Sequence, residues 1–354
     1  MRQRRENLIR HAAKKDCDTL VAFDPENLFY MTGFWGEAVG ILESDGKTTI
    51  IAPDLEAGRA QDESHDCNVV TAQRGSGLLA PLIKYIKDSS ACTDCHDYST
   101  MNMLKRSVPK ITPTPVPFCD ARAVKDAAEL KILKKASKII DDMFAVCAEN
   151  LHVGQKESEL QAILMSYAAS HDMFDTGYQS TLNPLIVAGG PNGALPHAQV
   201  TGRRFRKRDL IVVDITLRYK GYVSDATRTF AIGKISPLAR EAYETVRESQ
   251  RLGLKAVMPD AACSDVDSAC RNFIEEQGFG QYFIHSTGHG IGLQVHESPA
   301  ISSISKTRLK RDMAITVEPG IYMPGKFGIR IEDSLIVKDR HLCMHKFTKK
   351  LVTV

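Results

Sequence analysis

VVDITLRYKGYVSDATRTF (residues 212–230) reads as a β-hairpin, with apolar and β-branched residues on both sides of a turn near Lys220 and Gly221. Each arm carries one acid, Asp214 and Asp225, among residues that read as buried. Side chains alternate faces along a strand, so an even-membered turn at 219/220 or 220/221 puts both carboxylates on one face, whereas a three-residue loop separates them. Two unpartnered charges on one buried face would cost several kcal/mol, so either one is protonated or a cation lies between them. The alternative is a hairpin with one wet face and two solvated acids.

A second pair of acids repeats the design. MAITVEPGIY and GIRIEDSLIVK read as two strands, with Glu318 in the first, Glu332 in the second and MPGKF between them. Between the two hairpins lies IHSTGHGIGLQVHE, which holds His285, His289 and His296 in a glycine-rich strand-and-turn segment. Neutral imidazole is the commonest nitrogen ligand of transition metals. GHGIG lacks the G-x-G-x-x-G spacing and the βαβ setting of a dinucleotide loop. His197 ends GGPNGALPHA, a loop of turn formers placed to wall a substrate site. Four carboxylates and one imidazole are a ligand set for two divalent ions such as Mn²⁺ or Co²⁺, and the set contains no thiolates of the kind that mark structural zinc. Paired ions offset the repulsion among inward acids, activate water and polarise a carbonyl.

The 354 residues are 43% hydrophobic and 25% charged with a formal charge of +3, which excludes neither one large nor two ordinary domains and asks for no nucleic-acid partner. MRQRR precedes an amphipathic pattern and no apolar run reaches a membrane span, so we expect a cytoplasmic protein without membrane contact. Nine irregularly spaced cysteines are expected to be free thiols. CTDCH (residues 92–96) matches a haem-attachment pattern, but no second pair of metal ligands accompanies it, and we expect a surface loop.

Residues 1–118 alternate short strands and helical patterns, with a hairpin at Asp45-Gly46, and predict a small α/β domain. Pro109, Pro113, Pro115 and Pro117 predict an extended connector with the boundary near 118 to 122. Residues 119–354 form the second, α+β domain. Apolar positions Leu133, Ala136, Ile140, Met143, Phe144 and Cys147 predict a helix over 126–149, and further helices are expected near 160–167, 237–256 and 265–277.

The order Asp214, Asp225, His289, Glu318, Glu332, with the segments GHGIGLQVHE, VEPGIY and RIED, resembles the pita-bread metallopeptidase superfamily. That superfamily includes methionine aminopeptidase, Xaa-Pro aminopeptidase and prolidase. The first domain is similar to the creatinase-type domain of its proline-specific members, so the resemblance implies an Xaa-Pro dipeptidase (prolidase), with an Xaa-Pro aminopeptidase as the alternative. It implies two divalent ions, most simply Mn²⁺ or Co²⁺ with Zn²⁺ or Fe²⁺ also admissible, held by Asp214 on one ion, Asp225 and Glu332 as bridges, and His289 with Glu318 on the other. Glu318 would also relay a proton to the leaving nitrogen. His296 would steady the oxyanion, His197 and His285 would contact substrate, and Arg330 would orient ligands or bind a substrate carboxylate. The resemblance further implies a homodimer acting on proline-containing dipeptides or short peptides. One departure is Ala300, where some prolidases carry an arginine for the dipeptide carboxylate; Arg308, Arg311 or Arg330 could replace it. A metal-free creatinase-like hydrolase would have lost the five ligand types, and a binding protein on the same fold would have no use for them.

Overall fold

The Asp45-Gly46 dipeptide turns the chain as expected. Gly46 takes a φ of 90°, a left-handed conformation that a residue without a Cβ adopts freely, and strands β2 (Val39–Glu43) and β3 (Thr48–Pro53) pair antiparallel beyond it. The computed structural model describes residues 1–178, 183 and 185–354. It divides into two compact units, Met1–Arg122 and Ala123–Val354.

In the first unit, β1 (Thr19–Ala22), β2, β3, β4 (Asn68–Ala72), β5 (Ala91–Thr93) and β6 (Ile111–Pro113) form one mixed sheet in the order β4-β3-β2-β1-β5-β6. Three sequence expectations fail here. The proline-rich stretch is not an extended connector: Ile111–Pro113 pairs in parallel with β5 at the sheet edge, where a proline's missing donor is tolerated, and Val116–Ala123 is helical. CTDCH is not a surface loop. Cys92 to Cys95 are buried and only His96 is exposed, because the Asp94 carboxylate accepts from the backbone N–H of Phe23 at 2.7 Å and from Asn27 Nδ2 at 2.8 Å. Nor are all cysteines free. Cys17 and Cys92 form a disulfide across 75 residues, since the β1–β5 pairing sets Leu20 against Cys92 and brings the chain just before β1 alongside it.

The second unit starts from a capped helix. Asp126 accepts from the Glu129 N–H while Glu129 accepts from that of Asp126, and the helix Ala127–Asn150 follows. Its predicted apolar positions, Leu133 to Cys147, are all buried, each contributing about 1.5–3 kcal/mol where a large side chain leaves water. This helix and Glu157–Ala169 cover one face of the sheet made by β7 (Met173–Asp175), β8 (Ile186–Gly189), β9 (Leu210–Tyr219) and β10 (Tyr222–Ala231). Helices Pro237–Ala256 and Cys263–Glu276 share a core with the second sheet. That sheet contains β11 (Gly288–Gly290), β12 (Glu297–Ile301), β13 (Ala314–Val317), β16 (Asp333–Ile336) and β17 (Leu342–Cys343), in the order β12-β11-β13-β16-β17, and β14 (Gly320–Met323) pairs separately with β15 (Phe327–Arg330). Among the described residues no helix is long and apolar enough to cross a membrane.

Candidate metal centre

The first hairpin closes in two residues. Tyr219 pairs with Tyr222, and Lys220 and Gly221 both take positive φ, 48° and 87°, the turn whose twist matches its strands. The register then sets Asp214 opposite Thr227 and Asp225 opposite Thr216, so both acids share one face as a diagonal pair. Both are inward: Asp225 is buried and Asp214 nearly so.

The second hairpin keeps one register but not one strand per arm. Val317 pairs with Asp333 and Gly320 with Arg330, which sets Glu318 opposite Glu332. Each glutamate lies outside a strand, in the gap between β13 and β14 or between β15 and β16, contrary to the expectation of two continuous strands. Pro319 supplies no donor at this point, so the ladder breaks.

The glycines of GHG have a steric cause. A Cβ on Gly288 would lie 2.2 Å from the Thr316 carbonyl oxygen, and one on Gly290 equally close to that of Ser298. Neighbouring backbones therefore pack tightly on both sides of His289 and drive its ring toward the acids. The His289 N–H donates to Thr316 Oγ1 at 3.1 Å, and Nδ1 lies 3.0 Å from the Gly290 carbonyl, which places the proton on Nδ1 and leaves Nε2 free to bind a cation.

Ligand atoms of Asp225, His289 and Glu332 lie within 4.8 Å of one another, and all three residues are buried. His289 Nε2 is 3.3 Å from Glu318 Oε1 and 3.8 Å from Asp225 Oδ2. Three threonine hydroxyls orient the acids: Thr216 donates to Asp225 at 2.8 Å, Thr227 to Glu332 at 2.8 Å and Thr316 to Glu318 at 3.2 Å. Asp214 is held by Arg330 through Oδ2, while its Oδ1 is buried with no hydrogen-bond partner among the described residues. Burial pushes Asp225 and Glu332 well above the ordinary carboxylate range, and the neighbouring acids add to it. Burial likewise pushes Glu318 up to about 8, against the pull of Arg330. It holds the His289 imidazole down at about 4, neutral at physiological pH. A bare oxygen, clustered acids that resist ionisation and a neutral imidazole with a free nitrogen are what divalent cations would satisfy, so these side chains fit the metal that the sequence implies.

Around the acids the other predicted residues take distinct places. The His296 ring centroid lies 4.4 Å from that of His289 and 5.2 Å from that of Tyr178. His285 is half-buried: Nδ1 lies 2.7 Å from the Ser286 carbonyl and Nε2 3.0 Å from the Tyr322 hydroxyl. Burial, then the Arg330 charge, lowers His285 to about 4. His197 is exposed, and it contributes to holding down both His285 and His296. Arg330 is buried and also donates to the Tyr322 hydroxyl at 2.6 Å, to Thr227 Oγ1 at 3.0 Å and to the Pro196 carbonyl at 3.2 Å. Tyr322 and the three threonines were missed in the sequence. The threonines opposite Asp214 and Asp225 could have been found by writing the hairpin register out.

A buried ion pair, Lys125 to Glu297 at 3.0 Å, fixes the loop that carries His296, because Glu297 also accepts from the N–H groups of Leu293 and Gln294.

Residues 131–339 match metallopeptidase family M24 and residues 4–124 match the creatinase/prolidase N-terminal domain. An Xaa-Pro dipeptidase of Pyrococcus furiosus is 32% identical over 346 residues, covering 96% of each chain. The solved structure of an Xaa-Pro dipeptidase from Bacillus anthracis superposes with a TM-score of 0.91 at 30% identity, covering 99% of both chains. A prolidase from Pyrococcus horikoshii superposes with a TM-score of 0.89 at 29% identity, covering 99% of this chain and all of the other. With its creatinase-type N-terminal domain and pita-bread second domain, the chain belongs to metallopeptidase family M24.

Proposed function

We propose that the protein is an Xaa-Pro dipeptidase that hydrolyses the peptide bond before proline with two divalent ions, Mn²⁺ in the first instance. The observation that carries this is the buried cluster of Asp225, His289 and Glu332 beside the unpartnered Asp214 oxygen. The relatives named above supply the substrate class. Asp214, Asp225, His289, Glu318 and Glu332 would hold the ions, with Asp225 and Glu332 as the two carboxylates that both ions would share. When bound, such ions neutralise the acids, polarise the scissile carbonyl and make water acidic enough to attack.

The remaining steps belong to the chain's own groups. Glu318, with Oε1 3.3 Å from His289 Nε2 at the heart of the cluster, takes the proton that the attacking water gives up and passes it to the leaving proline nitrogen. That nitrogen needs the proton because it leaves as an amine and not as an amide anion. His296, neutral beside the cluster, donates to the oxygen on which negative charge develops. Arg330 holds Asp214 Oδ2 through Nη2 alone. His285 has one nitrogen at a carbonyl and the other at Tyr322, so it lines the substrate side mainly by shape, and the exposed His197 meets the substrate directly. We place the enzyme in the cytoplasm as a homodimer, a state that analytical ultracentrifugation checks.

A second reading, an Xaa-Pro aminopeptidase, is favoured by Ala300. It pairs directly with His289 and is exposed, so the place opposite the candidate ligand carries a methyl group and no cation for a dipeptide carboxylate. Both readings are tested by incubating metal-stripped protein with Met-Pro, Met-Pro-Gly and Met-Gly-Gly before and after adding Mn²⁺. Mn²⁺-dependent cleavage of Met-Pro alone establishes the dipeptidase, and cleavage of Met-Pro-Gly as well establishes the aminopeptidase. Cleavage of neither proline peptide refutes both.

A further inference from the structure

Behind the acid cluster, on the face of β10 opposite Asp225 and Thr227, lies a second buried charge assembly. Arg228 follows Thr227 on β10 and is one of the largest fully buried side chains among the described residues. Its Nη1 donates to the Thr227 carbonyl at 2.9 Å and to the carbonyl of Glu332. The guanidinium thus ties together the two backbones that carry Asp225 and Glu332. On its other edge, Nη2 donates to Asp333 Oδ1 at 2.7 Å and to the Phe347 carbonyl at 3.0 Å, and Nε donates to the Thr348 carbonyl at 3.2 Å. Asp333 is wholly buried and accepts in addition from Gln250 at 2.9 Å and from Lys349.

Three of the groups that hold Arg228 and Asp333 therefore come from the last residues of the chain. That tail is itself fastened independently. Asp141 accepts from the N–H groups of Lys346 at 2.7 Å and Phe347 at 3.0 Å. The Phe347 ring packs at 5.5 Å from Phe144 and 6.1 Å from Phe230, and Ala231 and Gly233 pair with Val352 and Val354. Arg228 also lies over the Phe144 ring at 5.4 Å.

We propose that the C-terminal tail, residues 344–354, positions the metal centre: by holding Arg228 it fixes the distance between the hairpin bearing Asp225 and the one bearing Glu332. Arg228, Asp333, Phe347 and Lys349 are positioning residues. Groups one step behind metal ligands typically tune affinity by about 10–100-fold. Two carboxylates meant to share cations from separate hairpins are sensitive to this spacing, because either arm moving lengthens both sets of ligand distances. The proposal rests on the two-metal reading of the cluster.

The test is a Co²⁺ titration of metal-free protein, followed by its visible absorption, with a thermal melt of each variant alongside. Phe347→Ala changes no charge and removes the packing that holds the Phe347 and Thr348 carbonyls against Arg228. We expect about tenfold weaker Co²⁺ binding and an altered visible spectrum, whereas Phe347→Leu, which keeps most of the apolar volume, should bind as the native chain does. If Phe347→Ala does not fold, Asp141→Asn frees the same segment by another route and should weaken binding in the same direction. A lowered melting temperature with native Co²⁺ affinity and spectrum overturns the proposal. Failure of the native chain to bind Co²⁺ at all overturns the two-metal reading instead, so the two failures are distinguishable.

Discussion

Loading the centre with metal should expel protons, and the structure says from where. Burial pushes Glu318 up to about 8, so at pH 7 about nine-tenths of metal-free molecules carry a proton on that carboxyl. Asp225 and Glu332 are raised by the same cause, so the bridging acids resist ionisation as well. His289, held at about 4, is already neutral and contributes none. A divalent ion needs these carboxylates ionised, so binding at pH 7 should release about one proton per chain from Glu318 together with those held by the bridging acids. Titrating Mn²⁺ into metal-free protein in buffers of different ionisation heat measures the number directly. The slope of observed heat against buffer heat should equal one proton or more at pH 7, and the Glu318 share should vanish by pH 9.5. A zero slope at pH 7 would mean that the acids are ionised without metal, and the electrostatic account of the cluster would be wrong. The same shift governs folding. A carboxyl raised from 4.5 to about 8 contributes its full stability below pH 4.5 and loses it as pH rises through 8, on the order of 3–5 kcal/mol for this group. His289 acts in the opposite sense: its contribution is complete above 6.5 and is lost as pH falls toward 4. The metal-free protein should accordingly gain most from added Mn²⁺ at alkaline pH, which melting curves across pH 5 to 9 would show.

Asp225→Asn removes a proposed bridging charge from a buried site while keeping the acceptor for Thr216, so activity should disappear with the fold retained by circular dichroism; near-normal turnover would refute the ligand assignment. His296→Ala should lower kcat by about 10² to 10³ if the ring donates to the developing oxyanion, and an effect confined to KM would reassign it to substrate binding. Reducing the Cys17–Cys92 disulfide opens a closure across 75 residues, and chain entropy sets the expected destabilisation at about 4 kcal/mol, read as an earlier urea transition with dithiothreitol than without it.

The candidate site was legible to the extent that its chemistry depends on face and register. Asp214 and Asp225 could be placed on one face only on condition of an even-membered turn, a condition that the two-residue turn at Lys220 and Gly221 meets. Glu318 and Glu332 could be paired for a similar reason, but the break of their strands could not be read, since it depends on two sheets competing for one hairpin as much as on Pro319. Thr216, Thr227 and Thr316 pass for ordinary strand residues until the acid facing or following each is known. The disulfide carries no spacing signal, because a parallel pairing in the first unit, and no local motif, creates it. Arg228 is the extreme case. In the sequence it is one cation in a polar-looking strand, SDATRTF, and alternation sets it on the opposite face from Asp225 and Thr227. Its partners, Glu332, Asp333 and the tail carbonyls, lie more than a hundred residues away. Burying a guanidinium is costly unless every donor is met. Carbonyls and a carboxylate from three separate segments meet its donors, so local sequence cannot reveal the arrangement, whereas the folded chain spends several segments to make it.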